Sequence, residues 1–158
     1  SVSAARSSQI EVEKAAQERV VQGLDPDARK RAEDVASRFA QAMNARTWQT
    51  SRAQWREALA PTVSPELLKT LDADRDWESD AHQRFVKAKA STSVQVLESR
   101  AQTVQGERVN VALMVATETT GEDPWVTAPR TERPMTVVVD TTQNRVVEQI
   151  DMTPHGGL

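Results

Sequence analysis

An α+β fold, with N-terminal helices packed on a curved four-stranded antiparallel sheet, is what this 158-residue sequence predicts. Three observations carry that prediction. Of the 19 valines, 13 lie after residue 84, and β-branched residues suit half-buried strands. Helix-prone Glu, Gln, Lys, Arg and Ala crowd the front of the chain instead. Between the two halves, Ala32, Val35, Ala36, Phe39, Ala42 and Met43 follow helical i, i+3, i+4, i+7 spacing. Such a face calls for burial against something large, here the sheet.

From about Ser8 to Gln22 a helix-prone run carries only a thin apolar stripe, Val12, Ala15, Ala16 and Val20, and reads as a stalk. Gly23-Leu24-Asp25-Pro26 breaks it, with Asp25 as N-cap and Pro26 at the first helical position, where its missing N–H costs nothing. The amphipathic helix then runs to about Asn44. Thr50 or Ser51 caps a short third helix with Trp55, Ala58 and Leu59 on one face, stopped by Pro61. Ser64-Pro65-Glu66 restarts a fourth, whose buried side is Leu67, Leu68 and Leu71. Asp72 to Gln83 is polar and acidic, and reads as a loop or frayed turn.

Four strands follow. In the first, Val86, Ala88, Ala90, Thr92, Val94 and Val96 alternate with Lys87, Lys89, Ser91, Ser93 and Gln95, leaving one wet face. Gly106 turns the chain into the second, about Arg108 to Glu118, whose two faces are both apolar enough for a central position. A loop with Gly121, Pro124, Trp125 and Pro129 leads to a third strand around Met135 to Asp140. Thr141 to Asn144 turns into a fourth, Arg145 to Met152. The expected division is a juxtamembrane-type helical stalk at 1–24, one domain at 25–153 and a flexible tail at 154–158.

Composition excludes several classes of function. Twenty Lys+Arg against 23 Asp+Glu give a net charge of −3, so a strongly basic nucleic-acid clamp is not expected. Without cysteine there is no disulfide, thiol nucleophile or thiolate metal site. The longest apolar run falls far short of the roughly 20 residues of a membrane-spanning helix. The chain opens Ser1-Val2-Ser3-Ala4-Ala5 without an initiator Met. The expectation is that something upstream is missing, whether a signal, an anchor or simply the limit of the piece in hand.

The residues that carry chemistry do not assemble into a catalytic signature. Asp72, Asp74, Asp76, Glu78 and Asp80 alternate like a calcium loop, but Trp77 stands where the sharp turn needs glycine and Gln83 where a bidentate glutamate should close the shell. No metal and no cofactor are expected. A nucleophilic triad needs an oriented base, and the histidines are only His82 and His155, the latter on the glycine-bearing tail. Paired carboxylates and phosphate-binding glycine loops are not in evidence either. Trp55 reads as core, and Trp48 as cover for the sheet edge. Trp77 and Trp125 fall in predicted polar loops, where a large aromatic either folds back as a lid or anchors a contact. Those two, with Lys87 and Lys89, which together with Arg84 make the best local basic patch, are the candidate partner contacts.

A long helix, short helices and then a four-stranded sheet is the order of the nuclear transport factor 2-like, cystatin-like α+β cone. More specific is the segment Phe39-Ala40-Gln41-Ala42-Met43 followed by Trp55-Arg56-x-x-Leu59-x-Pro61-x-x-Ser64-Pro65-x-Leu67. It resembles the extracytoplasmic scaffold domains of actinobacterial and other Gram-positive conjugation proteins, in type IV secretion systems. It is also similar to the membrane-anchored accessory proteins of mammalian-cell-entry lipid transporters, which use the same cone. The resemblance spans about Pro26 to Met152. It implies a non-catalytic domain at the extracytoplasmic face of the cell envelope, anchored through a segment upstream of residue 1. It also implies self-association and assembly with other transfer-channel subunits, without direct nucleic-acid binding. The alternative that the superfold leaves open is a small-ligand binder or hydrolase using the cone's cavity.

Overall fold

A computed structural model describes residues 23–150. The expected stalk segment and tail lie outside the described residues. The order is helix α1 (Pro26–Asn44), strand β1 (Arg46–Thr47), helices α2 (Arg52–Leu59), α3 (Pro65–Asp74) and α4 (Asp80–Lys87), then strands β2 (Ser91–Gln105), β3 (Arg108–Thr120), β4 (Ala128–Asp140) and β5 (Arg145–Ile150). The strands form one antiparallel sheet in the order β1-β2-β3-β4-β5. None of the described helices is long and apolar enough to cross a membrane.

The helix starts are where local chemistry predicts them. Asp25 accepts from the Ala28 N–H at 3.2 Å with Pro26 at the first position. Ser51, rather than Thr50, builds a reciprocal capping box with Gln54, and Ser64 accepts from the Leu67 N–H at 3.2 Å ahead of α3. Each such cap satisfies an otherwise orphaned donor and contributes about 1 kcal/mol.

α1 packs its buried face, Ala32, Val35, Ala36, Phe39 and Ala40, against Val109, Val111, Leu113 and Val115 of β3 and Val137 and Val139 of β4. Trp55, Leu59, Val63 and Val146 complete this core. Register shifts between Val96 and Glu98, Ala101 and Thr103, Thr117 and Thr119, and Val138 and Val139 interrupt the ladders. Bulges of this kind bend strands and sharpen twist, which lets the sheet curl around one helix. Gly106, at φ +61°, opens the two-residue turn between β2 and β3, a position that L side chains occupy at a cost. At the outer edge of β2, the Glu33 carboxylate accepts the Ala101 N–H at 2.8 Å, and Ser99 Oγ donates to the Glu33 carbonyl at 2.8 Å.

Three expectations need correction. The sheet has five strands, because Arg46 and Thr47 pair with Thr92 and Ser91; two residues are too few to show a period. Asp72 to Gln83 is a loop only from Arg75 to Ser79: α3 continues to Asp74, and Ser79 caps α4 by accepting the His82 N–H at 3.1 Å. The strand expected from Val86 therefore begins only at Ser91, after a left-handed turn at Lys89 with φ +48°. The apparent alternation at Val86, Ala88 and Ala90 belongs to a helix end and a turn. There Phe85, Ala88 and Ala90 form a second small core with Val126. Finally, β4 starts at Ala128 instead of near Met135. Pro129 and Pro134 disguise that portion, which has a described neighbour on one side only and so tolerates a missing ladder donor.

Candidate protein-interaction surface

Trp77 folds back. It meets Trp55 edge-on, with ring centroids 5.7 Å apart, and His82 edge-on at 5.3 Å. His82 in turn stacks on Phe85 at 6.4 Å. Two guanidiniums close this row: Arg46 lies 4.0 Å from the centre of the Phe85 ring, and Arg75 lies 4.5 Å from Trp55 and 5.5 Å from Trp77. Aromatic edges and cations over ring faces are mutually favourable arrangements. They fix α4 and the connector before it against α2.

Asp72, the first member of the acidic run, is the anchor of the same region. Arg52 donates to both of its oxygens, at 2.9 and 2.8 Å, and Arg56 approaches to 3.8 Å. The Arg52 hydrogen bonds, offset in part by burial, hold its carboxyl below the usual range, with smaller help from Arg56. Asp80 stands in the first turn of α4. Asp72 thus pairs helices, while Asp80 sits at the positive end of a separate one, α4.

The other candidate contacts gather elsewhere. Trp125 is 91 % exposed on the loop between β3 and β4. That loop is pinned: the Glu122 N–H donates to the Ala88 carbonyl at 2.8 Å, and the Trp125 N–H to the Asp123 carboxylate at 3.0 Å. Thr127 Oγ1 donates to the Pro124 carbonyl at 2.8 Å. Gly121 lies so close to the end of α4 that a Cβ there would sit 3.1 Å from Ala90 Cβ. Trp125 is therefore presented by a braced loop. An open groove of about 600 Å³ is lined by Arg84, Lys87, Ala88, Glu122, Asp123 and Trp125. Lys87 is the last residue of α4 and Lys89 sits in the left-handed turn, not on a strand face as the alternation predicted. The Lys89 ammonium lies 6.0 Å from the Trp48 ring, and the Trp48 N–H donates to the Ala90 carbonyl. The structure thus brings Trp125, Lys87 and Lys89 to one end of the molecule, keeps Arg84 with them, adds Trp48, and leaves Trp77 in the row of packed rings. Arg84 reaches this groove from α4, a helix that the period-two reading concealed.

A second concavity of about 620 Å³ opens between α3 and the sheet, with Leu67, Leu71, Val115 and Met135 on its walls. Among the described residues that line it, the ionisable ones are Asp74 and Arg133. Asp74 is the one acid of that pair. It comes from the last turn of α3, where helical spacing sets it one turn beyond Leu71, and it is exposed. An exposed acid lacks the burial that tunes a general acid or base.

No family model matches the chain, and no curated protein matches it. Among solved structures, the transfer protein TraH of the Gram-positive conjugative plasmid pIP501 superposes with a TM-score of 0.52 at 5% identity, over 79% of this chain and 94% of that one. CagV of Helicobacter pylori strain 26695, a VirB8 homolog of a T4SS, superposes with a TM-score of 0.54 at 9% identity, over 78% of this chain and 99% of that one. The chain has the fold of these two proteins, the nuclear transport factor 2-like α+β cone anticipated from its order of elements.

Proposed function

We propose that this chain is a non-catalytic assembly domain of a DNA-transfer or secretion channel in the cell envelope. In this reading it is held at the extracytoplasmic face by a segment upstream of Ser1 and self-associates beside other channel subunits. The likeness of fold to a conjugative transfer protein and to a VirB8 homolog supports the class of system. The observation that carries the assembly role is Trp125, 91 % exposed on a braced loop beside Lys87 and Arg84. An aromatic flanked by cations is the usual make-up of an interaction hot spot. Exposing a whole indole to water is unfavourable unless something covers it.

Truncating Trp125 tests this directly. Trp125→Ala leaves the melting temperature of the isolated domain within the small range of a surface change. In the host cell it lowers transfer or secretion by about tenfold or more, the loss expected for one hot-spot side chain. Full transfer by a strain that lacks the chain altogether would sink the reading. A second reading, a small-ligand binder, is favoured by the concavity between α3 and the sheet, whose size suits a compact ligand. It predicts that Leu71→Trp abolishes activity while Trp125→Ala does not.

A further inference from the structure

The row of rings around Trp77 carries two guanidiniums that have no ion-pair partner among the described residues. Arg29, Arg52, Arg56, Arg100 and Arg130 each meet a carboxylate within 4 Å. Arg46 and Arg75 do not, among the described residues, although both are half-buried. Arg75 donates once, from Nη2 to the Met43 carbonyl at 3.3 Å, and its Nη1 is buried without an acceptor. The buried indole nitrogen of Trp55, which flanks it, likewise lacks an acceptor, whereas that of Trp77 turns toward the Asp72 carboxylate. Burial and the repulsion from Arg46 both make the Arg75 cation less favourable than usual. His82 stands between the same two arginines and feels both.

Half-buried like charges repel more strongly than they would in water, and an unfilled buried donor is unfavourable. Cation–π contacts with Phe85, Trp55 and Trp77 offset only part of that. Every unfilled group here is a donor or a cation, so what would complete the cluster is an acceptor with negative charge. We propose that Arg46 and Arg75 form a receptor site for a single oxyanion, of carboxylate or phosphate chemistry, which bridges the two guanidiniums beside Trp77. The guanidinium fork matches such oxygens in geometry, and an anion between two cations turns one repulsion into two attractions. The site is independent of the Trp125 surface and of the assembly reading.

The test is titration of the chain with inorganic phosphate and, separately, with acetate, each at ionic strength held constant with chloride. The readouts are melting temperature and the indole N–H resonances of Trp55 and Trp77. The expected result is a saturable change in both readouts, with affinity about tenfold weaker or worse in Arg46→Gln and in Arg75→Gln, the worth of one charge-assisted hydrogen bond. Response to acetate alone assigns a carboxylate, such as an acidic side chain of a partner; response to phosphate alone assigns a phosphate group. Response to both assigns an unselective oxyanion site. No saturable shift with either anion would overturn the proposal, as would shifts that persist unchanged in both variants. Arg52→Gln, which leaves both cluster arginines in place, is the control that keeps its response.

Discussion

His82 is, among the described residues with a resolved shift, the group whose ordinary value lies near neutrality. Burial, then the nearby charges of Arg46 and Arg75, push its imidazole below the usual value of 6.5, against a weaker pull from Asp76. The folded state thus prefers neutral His82. Above pH 6.5 neither state binds the proton, whereas below it the unfolded chain does so first and stability falls until the folded imidazole also titrates. Urea midpoints measured at about pH 7.5 and about pH 5.5 should therefore drop, and His82→Gln should remove most of the drop. Asp72 and Asp140 contribute in a separate window. Their carboxyls are lowered, by Arg52 and by Thr142 respectively, so their stabilisation is lost only as pH falls below 3.8. Single residues were the least legible scale in the sequence. Trp77 and Trp125 both read as large aromatics in polar loops, and only three-dimensional packing separates a ring against Trp55 from one left in water.

Elements whose boundaries rest on capping chemistry were legible almost to the residue. α1 begins at Pro26 and ends at Asn44 as expected, and the Ser51 and Ser64 caps hold. α4 was missed, although Ser79 followed by Asp80 is the same kind of cap signal; a coincidental period-two run of valine and alanine outweighed it. The join between α4 and the loop bearing Trp125 is a close one. A Cβ on Gly121 would lie 3.1 Å from Ala90 Cβ and 3.3 Å from the Ala88 carbonyl oxygen. Gly121→Val should cost about 1–3 kcal/mol by overpacking. Hydrogen exchange should show faster exchange at Glu122, whose N–H is bonded to Ala88. An unchanged exchange rate there would mean that the loop is not held by this contact.

For the whole molecule, the decisive placement is Phe39, with no exposed surface, at the centre of the core that α1 shares with β3 and β4. Phe39→Ala should cost about 3–5 kcal/mol and lower the melting temperature accordingly, as a differential scanning experiment reads directly. The overall architecture was legible because valine content divides the chain and one helix carries a full apolar face. The curl of the sheet was not, since bulges depend on pairing across strands that one sequence does not display. One small contact constrains how copies of such a cone can meet. Where Glu33 already claims the Ala101 amide, an incoming chain's carbonyl finds no vacant proton to grip. Zipper-like lengthening of the ribbon is thereby obstructed at that point.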